Sequence, residues 1–463
     1  MTTKGDVACP QDALSAMQRA HSSLPEAEQP TNGGALAPIS AGPQPSANQP
    51  IPESRHGCHA TAMKTTAWLG IALLMLFSRC PDRLLHPQFY AEDAMLFFRG
   101  AITIGLPSLA IPQGRFLEFV PRLVAYVCRP LPWEWIPTAY ALAASAGFLY
   151  VVWRLYSARL PVVVALVSSL ALLTVPHNAE IWINLCCLHF VFAALVVVNL
   201  LEPAPVSGRE SWKRAVEMAA SALTCPEVFV FAPVMVWWAW RNRSDRLAAR
   251  MMTIALAATG IQLSIMAAYP RPVDLNLPQV VGTLGNALLG YSEFFFGGAS
   301  DLGTTTRQLF VALLAPVFVL LALMDKSNRF RPTAGLLLFL AAVLMVLGRV
   351  GNINHFAIWP RPLGDGGRYT YLPFVLAFWA LGWLLAGSLH HWREGRRLMV
   401  VAVAVPLILV PLSAARHWAP LSVPDFHWAH QVGEARAGRR IWFVVPPGWR
   451  FQVPVTKVQK PDL

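Results

Sequence analysis

Charged side chains are scarce in this chain, and their scarcity indicates the class of protein. Of the 463 residues, 13% are Asp, Glu, Lys or Arg, whereas 55% are hydrophobic. A soluble protein carries about 25% charged residues, so this composition indicates long lipid-facing segments. The net charge of +12 does not indicate a nucleic-acid partner. Most Lys and Arg residues lie in short loops between apolar runs, where they set membrane orientation, and no nucleic-acid-binding motif accompanies them.

Several motifs are also missing, and each absence excludes a class of enzyme. The chain has no phosphate-binding P-loop, no dinucleotide-binding glycine fingerprint and no zinc-protease His-Glu-x-x-His. An enzyme without a nucleotide site must draw on a substrate that is already activated. The seven cysteines show no metal-ligand spacing. Cys186, Cys187 and Cys225 lie in apolar surroundings and are interpreted as packing residues, and a disulfide between Cys80 and Cys128 is left open.

What the sequence does contain is a series of apolar runs, each near the ~20 residues that a membrane-spanning helix needs. The predicted spans are about 65–80, 134–153, 160–176, 183–201, 251–268, 308–324, 333–349, 368–388 and 398–414. A further stretch, 212–240, is interrupted by Thr224-Cys225-Pro226-Glu227 and has basic residues at both ends, so we predict that it enters and returns as a hairpin. The prediction is an all-α polytopic membrane protein with about 11 transmembrane or half-membrane helices.

Three regions follow from this pattern. Residues 1–60 are rich in Pro, Ala, Ser, Gly and Gln and are predicted to be a disordered cytoplasmic tail. Residues 61–414 form the transmembrane bundle, and residues 415–463 a short extracytoplasmic tail with a strand and turn near Trp442. Basic loops define the cytoplasmic side, so the N-terminus is predicted inside and the C-terminus outside. These loops contain Arg154, Arg159, Arg209, Lys213, Arg214, Arg241, Arg250, Lys326, Arg329, Arg331, Arg393, Arg396 and Arg397.

The first outer loop, residues 81–133, carries the most informative feature, the acidic pair Glu92-Asp93. Apolar residues recur at helical spacing after Asp93 and again around Phe119, which predicts two amphipathic helices on the outer membrane surface. Carboxylates near hydrocarbon are costly, so the pair calls for an explanation. Asp93 could act as a general base while Glu92 helps to hold an acceptor or a metal ion. Alternatively, Asp93 is the N-cap of the following helix and Glu92 stabilises the same helix end.

Other polar residues are candidates for binding. Arg368 follows two glycines at the head of a span, beside Tyr369, and its guanidinium could fork onto a lipid phosphate. An interfacial anchor is the alternative for this Arg-Tyr pair. Arg115, Glu118 and Arg122 have the spacing of an intrahelical ion-pair ladder, with binding of an anionic head group as the second interpretation.

Three further residues lie in or between the predicted spans. His177 and Glu180 share a short outer loop, where a polar turn is favoured over a metal site completed by Glu92 and Asp93. Glu227 lies at the tip of the interrupted hairpin. It is interpreted either as a structural hydrogen-bonding group or as a residue of a substrate cavity.

The placement of these motifs resembles the GT-C glycosyltransferases, which are integral membrane enzymes that use polyprenyl-phosphate or dolichyl-phosphate sugars. The resemblance covers roughly residues 65–463. It rests on architecture and on short motifs, which are Glu92-Asp93, Gly105, Pro112-Gln-Gly114, Pro121-Arg122, Gly367-Arg368-Tyr369 and Pro447-Gly448-Trp449. It implies that the donor phosphate lies at the outer surface near Arg368, with Asp93 as catalytic acid and Glu92 as its partner. It also implies a bacterial cytoplasmic membrane. A divalent metal is left open, because metal dependence varies in the family.

The function expected from the residues and the resemblance is transfer of a sugar from a polyprenyl-phosphate donor to a glycan, lipid or protein acceptor. The alternative is a transporter or flippase of a lipid-linked or small substrate, which the interrupted hairpin and Glu227 favour. Against it, the acids concentrate in outer loops and no internal repeat is evident. A non-catalytic membrane scaffold is a third interpretation, which the acidic pair makes less attractive.

Overall fold

A computed structural model describes most of the chain from residue 56 onward. The described ranges are 56–113, 115–175, 180–270, 328–350, 368–390, 424–439 and 442–453, with single residues or pairs at 320, 323–324, 400, 403–404, 407–408 and 418. All of them belong to one unit, His56–Leu463. The predicted tail 1–60 lies almost wholly outside the described residues, as do most of the spans at 308–324 and 398–414.

The described residues are mostly helical, as the apolar runs predicted. The α-helices are α1 (His56–Arg79), α2 (Pro81–Leu85), α3 (Arg99–Thr103), α4 (Phe119–Cys128), α5 (Ile136–Ser157), α6 (Val162–Thr174), α7 (Leu188–Leu201), α8 (Gly208–Ala222), α9 (Val228–Arg241), α10 (Arg246–Ala268), α11 (Arg331–Val350), α12 (Arg368–His390) and α13 (Trp428–Arg436). A π-helical turn, Asp93–Phe98, precedes α3, and 3₁₀ turns occupy Leu106–Ala110 and Trp133–Trp135. Two strands, β1 (Trp442–Val445) and β2 (Trp449–Gln452), pair in antiparallel fashion.

Among the described residues, four helices are long and apolar enough to cross a membrane. They are Trp133–Ser157, Arg246–Ala268, Arg331–Gly348 and Arg368–Leu389. Shorter apolar helices occur at Thr65–Arg79, Phe119–Cys128, Val162–Thr174, Leu188–Leu201 and Val228–Arg241. A helix of 14 residues such as α7 is about 21 Å long, less than the ~30 Å hydrocarbon core. The membrane class is therefore supported, while the total of about 11 spans stays a prediction.

Helix α12 forms the centre of the bundle. It is apolar on every side, and neighbouring helices bury most of its residues. Two side-chain hydrogen bonds fix it to α6, from Tyr371 Oη to the Leu172 carbonyl at 2.8 Å and from Trp379 Nε1 to the Ser168 carbonyl at 3.1 Å. This packing holds the first residue of α12, Arg368, in a defined place.

Two helices, α8 and α9, occupy the region of the predicted hairpin, with the break at residues 223–227 between them, while its entry into the membrane stays a prediction. Its first arm differs from the expected apolar run, because Arg214 and Glu217 of α8 are buried inside the protein. Arg154 of α5 reaches Glu217 and also Glu202 at 2.9 Å each. Each buried charge thus has a partner of opposite sign, which allows a polar helix to pack inside the bundle.

The loop 81–133 contains the two predicted helical segments, but other parts of the protein cover the first of them. The segment that begins at Asp93 continues through α3 and ends before Gly105, whose positive φ of 76° favours glycine. Phe97 and Phe98 are fully buried. Phe98 meets Trp133 and Trp428 edge to face at centroid distances of 5.1 and 5.6 Å. An apolar face expected against lipid instead packs on the chain itself.

The C-terminal segment covers this loop. The strand and turn predicted near Trp442 are confirmed as the hairpin of β1 and β2. Trp428 of α13 packs edge to face on Phe89 at 4.7 Å and donates through Nε1 to the Trp133 carbonyl at 2.8 Å. The Pro446 carbonyl in the hairpin turn accepts the Ala91 N–H at 2.7 Å. The hairpin therefore holds the backbone immediately before the acidic pair.

Candidate active site

Asp93 joins the loop 81–133 to the turn before α7. The residue is buried, with 4% of its surface exposed. Its Oδ1 accepts the Cys186 N–H at 2.9 Å, and its Oδ2 accepts the Leu185 N–H at 3.3 Å. The capping position of the π-helical turn belongs to Glu92, and no side chain caps it. The interpretation of Asp93 as an N-cap is therefore wrong, because its carboxylate is used for a contact across the fold.

The environment of Asp93 makes it a poised proton acceptor. Burial raises the pKa of this carboxyl, the Cys186 N–H lowers it and the neighbouring Glu92 carboxylate raises it, and together these influences give a pKa of about 7. A carboxyl with a pKa near 7 is ionised in a large fraction of molecules at neutral pH. It is also a stronger base than an ordinary aspartate, which suits general-base work.

Glu92 and Arg368 face one another beside Asp93. Arg368 Nη1 lies 3.7 Å from Glu92 Oε1, so the predicted cation stands opposite the acidic pair. The Arg368 guanidinium also lies over the ring of Tyr369 at 5.4 Å. In the described part of the chain, Glu92 Oε2 and Arg368 Nε are buried atoms without a hydrogen-bond partner. The ion pair is partly exposed, so a bound ligand could form hydrogen bonds with these two atoms.

Two residues that sequence reasoning did not place in the site, Glu118 and His189, lie deeper. His189 stands between two glutamates, with Nδ1 3.9 Å from Glu118 Oε1 and Nε2 3.8 Å from Glu227 Oε1. Its Nδ1 lies 2.7 Å from the Cys186 carbonyl oxygen, so it donates there in the neutral ring, and Nε2 is left as an acceptor. The site thus runs from Asp93 through the Cys186 backbone to His189 and Glu227.

Glu118 is an acid held largely in its protonated form. Burial raises its pKa, the Arg122 guanidinium lowers it and the acidic pair raises it, and together these influences give a pKa of about 8. Its Oε2 has no hydrogen-bond partner among the described residues, and the same holds for Oε2 of Glu227. These carboxyl oxygens therefore retain hydrogen-bonding capacity inside the fold.

The expected ion-pair ladder of Arg115, Glu118 and Arg122 is wrong. Helix α4 begins only at Phe119, so Arg115 and Glu118 precede it and do not share a helical face with Arg122. Glu118 turns inward toward His189 instead. Arg122 is buried, donates through Nη1 to the Ser108 carbonyl at 3.1 Å and lies over the Phe97 ring at 5.7 Å. These two contacts of Arg122 stabilise the fold of the loop.

The remaining predicted residues lie around this centre. Tyr369 meets Phe190 edge to face at 6.3 Å. The Glu180 carbonyl accepts Asn184 Nδ2 at 2.9 Å, as a polar turn would require. His177 lies outside the described residues. Within the described ranges no group of three His, Cys, Asp or Glu side chains is arranged to hold a metal ion.

The cysteine predictions have separate outcomes. Cys186 and Cys187 are buried, as expected of packing residues, and the Cys186 N–H additionally serves Asp93. Cys80 and Cys128 are both free thiols, so the disulfide left open from the sequence is not formed. No protein-family model, curated protein or solved structure matches this chain. The function is accordingly argued from the geometry of the site.

Proposed function

We propose that this protein is an integral membrane glycosyltransferase, of the GT-C kind that its sequence resembles. It would transfer a sugar from a polyprenyl-phosphate donor to a glycan, lipid or protein acceptor at the outer face of a bacterial cytoplasmic membrane. The observation that carries the proposal is the buried Asp93, with a pKa near 7, beside an arginine that faces the acidic pair at the head of the central helix. A base and a cationic clamp are the two groups that this transfer requires.

In the proposed reaction, an acceptor hydroxyl attacks the anomeric carbon of the donor. Asp93 takes the proton that the hydroxyl loses, and a new carbon–oxygen bond forms. The bond between the anomeric carbon and the phosphate oxygen breaks, and its electron pair leaves with the polyprenyl phosphate. Arg368 is proposed to stabilise the departing phosphate, because a guanidinium matches two phosphate oxygens at once. Glu92 would hold Arg368 in place until the donor binds.

The deeper residues support a hydroxyl-rich substrate. Glu118 and Glu227 each have a buried carboxyl oxygen without a partner in the described part of the chain, and His189 lies between them. Buried polar atoms without partners are costly, so the site is expected to gain stability when hydroxyl groups bind there. Sugar hydroxyls both donate and accept hydrogen bonds, and they suit a mixture of protonated and ionised carboxyls.

The test compares surface glycans by mass spectrometry in cells with the gene, without it, and with an Asp93→Asn variant. We expect the wild-type glycan to be lost in the deletion and reduced by roughly 100-fold or more in the variant, the usual size of a general-base contribution. Asp82→Asn, which removes a half-buried aspartate of the same loop, is the matched control and is expected to retain the glycan. An unchanged glycan profile in the deletion strain, under conditions where the wild-type protein is expressed, would refute the proposal.

A transporter or flippase remains the second candidate, on the specific observation that Glu227 at the hairpin break faces His189 between helices. Ionisable groups at a break between helix halves are typical of transport sites. The two candidates separate by variant. A transporter should be inactivated by Glu227→Gln and tolerate Asp93→Asn, whereas a transferase should lose turnover with Asp93→Asn while it keeps its fold.

A further inference from the structure

One end of the bundle carries arginines that the proposed reaction does not use. Five of them form what we call the basic rim, namely Arg209, Arg241, Arg243, Arg246 and Arg250. They come from the start of α8, the end of α9 with the turn that follows it, and the start of α10. Helix α9 ends just before the turn 242–245 that leads into α10, and the start of α10 is bonded to the start of α8, so the end of α9 lies near both.

Polar contacts fix the backbone that carries the rim. The Asp245 carboxylate caps α10 by accepting the Leu247 and Ala248 N–H groups at 2.8 and 3.3 Å. Ser211 of α8 donates through Oγ to the Leu247 carbonyl at 2.7 Å, which ties the starts of α8 and α10 together. Arg250 adds a second tie through Nη2 to the Gly208 carbonyl at 3.2 Å. The arginines are therefore displayed from one rigid frame.

The positive charge of the rim is not neutralised by the acids near it. Within the described ranges, none of the five arginines forms a salt bridge, and the two adjacent acids are engaged elsewhere. Glu210 pairs with Arg159 at 2.8 Å, and Asp245 caps its helix. Four of the five arginines are exposed and Arg250 is half-buried. A group of cations without paired acids attracts an anionic ligand.

Exposed tryptophans accompany these arginines. The guanidinium of Arg241 lies 5.5 Å from the Trp237 ring, and that of Arg243 lies 5.2 Å from the Trp240 ring. The third pair joins Arg250 and Trp212 at 5.0 Å. All three indoles are exposed, by 48%, 64% and 52% respectively. Tryptophan concentrates at the boundary between lipid and water, so the rim is expected to lie at the level of the phospholipid head groups.

We propose that the basic rim binds the phosphate head group of an anionic phospholipid. The guanidinium groups would bind the phosphate oxygens, since arginine forms paired hydrogen bonds with phosphate and basic clusters beside membrane helices attract anionic lipid. The acyl chains would lie along the exposed side chains of Val216 and Val236, on the two helices of the hairpin. This site is independent of the acidic pair and of the proposed sugar transfer.

The test measures lipid binding to the full-length, detergent-solubilised protein by native mass spectrometry at low ionic strength. The probes are phosphatidylglycerol and phosphatidylcholine with identical acyl chains. Each rim arginine is expected to contribute about fivefold in affinity, which corresponds to about 1 kcal/mol. The triple variant R241Q/R243Q/R246Q should therefore bind phosphatidylglycerol roughly 100-fold more weakly than wild type. R329Q is the matched control, because Arg329 is also exposed and lies 4.7 Å from an aromatic ring, that of Phe330, yet lies outside the basic rim.

Three outcomes would overturn the proposal. They are equal affinity for the two lipids, an equal loss of phosphatidylglycerol binding in R329Q and the triple variant, and displacement of phosphatidylglycerol by millimolar inorganic phosphate. The last result would make the rim a site for a soluble anion. Thermal unfolding of each variant checks that it is folded. If the triple variant fails that check, R209Q/R246Q replaces it, with an expected loss of roughly 25-fold.

Discussion

Asp93 provides a stability test that needs no knowledge of the substrate. Its pKa is about 7 in the folded protein, against an ordinary value of 3.8. Between pH 5 and pH 7 the unfolded chain has this group ionised while the folded protein keeps it largely protonated. Folding then takes up a proton, so the free energy of unfolding falls by about 1.36 kcal/mol per pH unit. The stability that Asp93 contributes is complete below its unfolded pKa and is lost as the pH rises to 7.

The variant Asp93→Asn cannot ionise and so lacks this slope. We expect the difference in the free energy of unfolding between variant and wild type to change by about 2 kcal/mol in favour of the variant from pH 5 to pH 7, because the slope flattens as the pH approaches the folded pKa. The amide of the variant faces the Leu185 and Cys186 N–H groups, which has a cost in stability that does not depend on pH. This cost cancels when the difference between variant and wild type at pH 5 is subtracted from that at pH 7. Reversible unfolding in mixed micelles of sodium dodecyl sulfate, followed by circular dichroism, gives both values.

If Asp93→Asn kept a constant difference from wild type between pH 5 and pH 7, to within about 1 kcal/mol, Asp93 would titrate as an ordinary aspartate. The argument for a poised base would then be wrong, whatever the glycan analysis found.

Three further variants test other parts of the fold. Glu118→Gln should gain stability relative to wild type by about 4 kcal/mol from pH 5 to pH 8, because burial raises the pKa of Glu118 to about 8; unfolding at both pH values measures it. Glu217→Ala should lower the free energy of unfolding by about 3–5 kcal/mol, because it removes a partner of the buried Arg154. The same unfolding assay measures this loss, and a loss below about 1 kcal/mol would contradict the prediction. Trp428→Ala should lower the free energy of unfolding by about 3–5 kcal/mol and reduce the proposed glycan transfer, because it removes the ring that packs on Phe89. Unchanged stability together with an unchanged glycan would contradict this prediction.

Sequence patterns predicted those parts of the molecule that depend on local periodicity. The start of the central span at Arg368, the hairpin break before Glu227 and the helical run after Asp93 all follow from residues close together in the chain. That Arg368 would face the acidic pair was expected only from the resemblance and from the prediction that both lie on the same side of the membrane. In the structure, Arg368 Nη1 lies 3.7 Å from Glu92 Oε1.

What the patterns missed depends on contacts between distant segments. Glu118 was assigned to a surface ladder because its spacing from Arg122 fits a helix, but α4 starts one residue too late for that. The Glu118 side chain instead points toward His189, which lies on another helix. A signal was present in the sequence, since a histidine within an apolar span is costly unless it faces polar groups. Its partners could not be named, because nothing in local spacing relates residue 118 to residue 189.

The hydrogen bond between the Ala91 N–H and the Pro446 carbonyl has a consequence for biosynthesis. The ribosome releases the acidic loop long before it makes the hairpin that braces it. A nascent chain therefore carries an unbraced loop, and the constellation around Asp93 is completed only when the last described segment arrives. Under the proposed function, partly translated chains would lack transfer activity, and a lipid-linked donor would not react on unfinished copies of the protein.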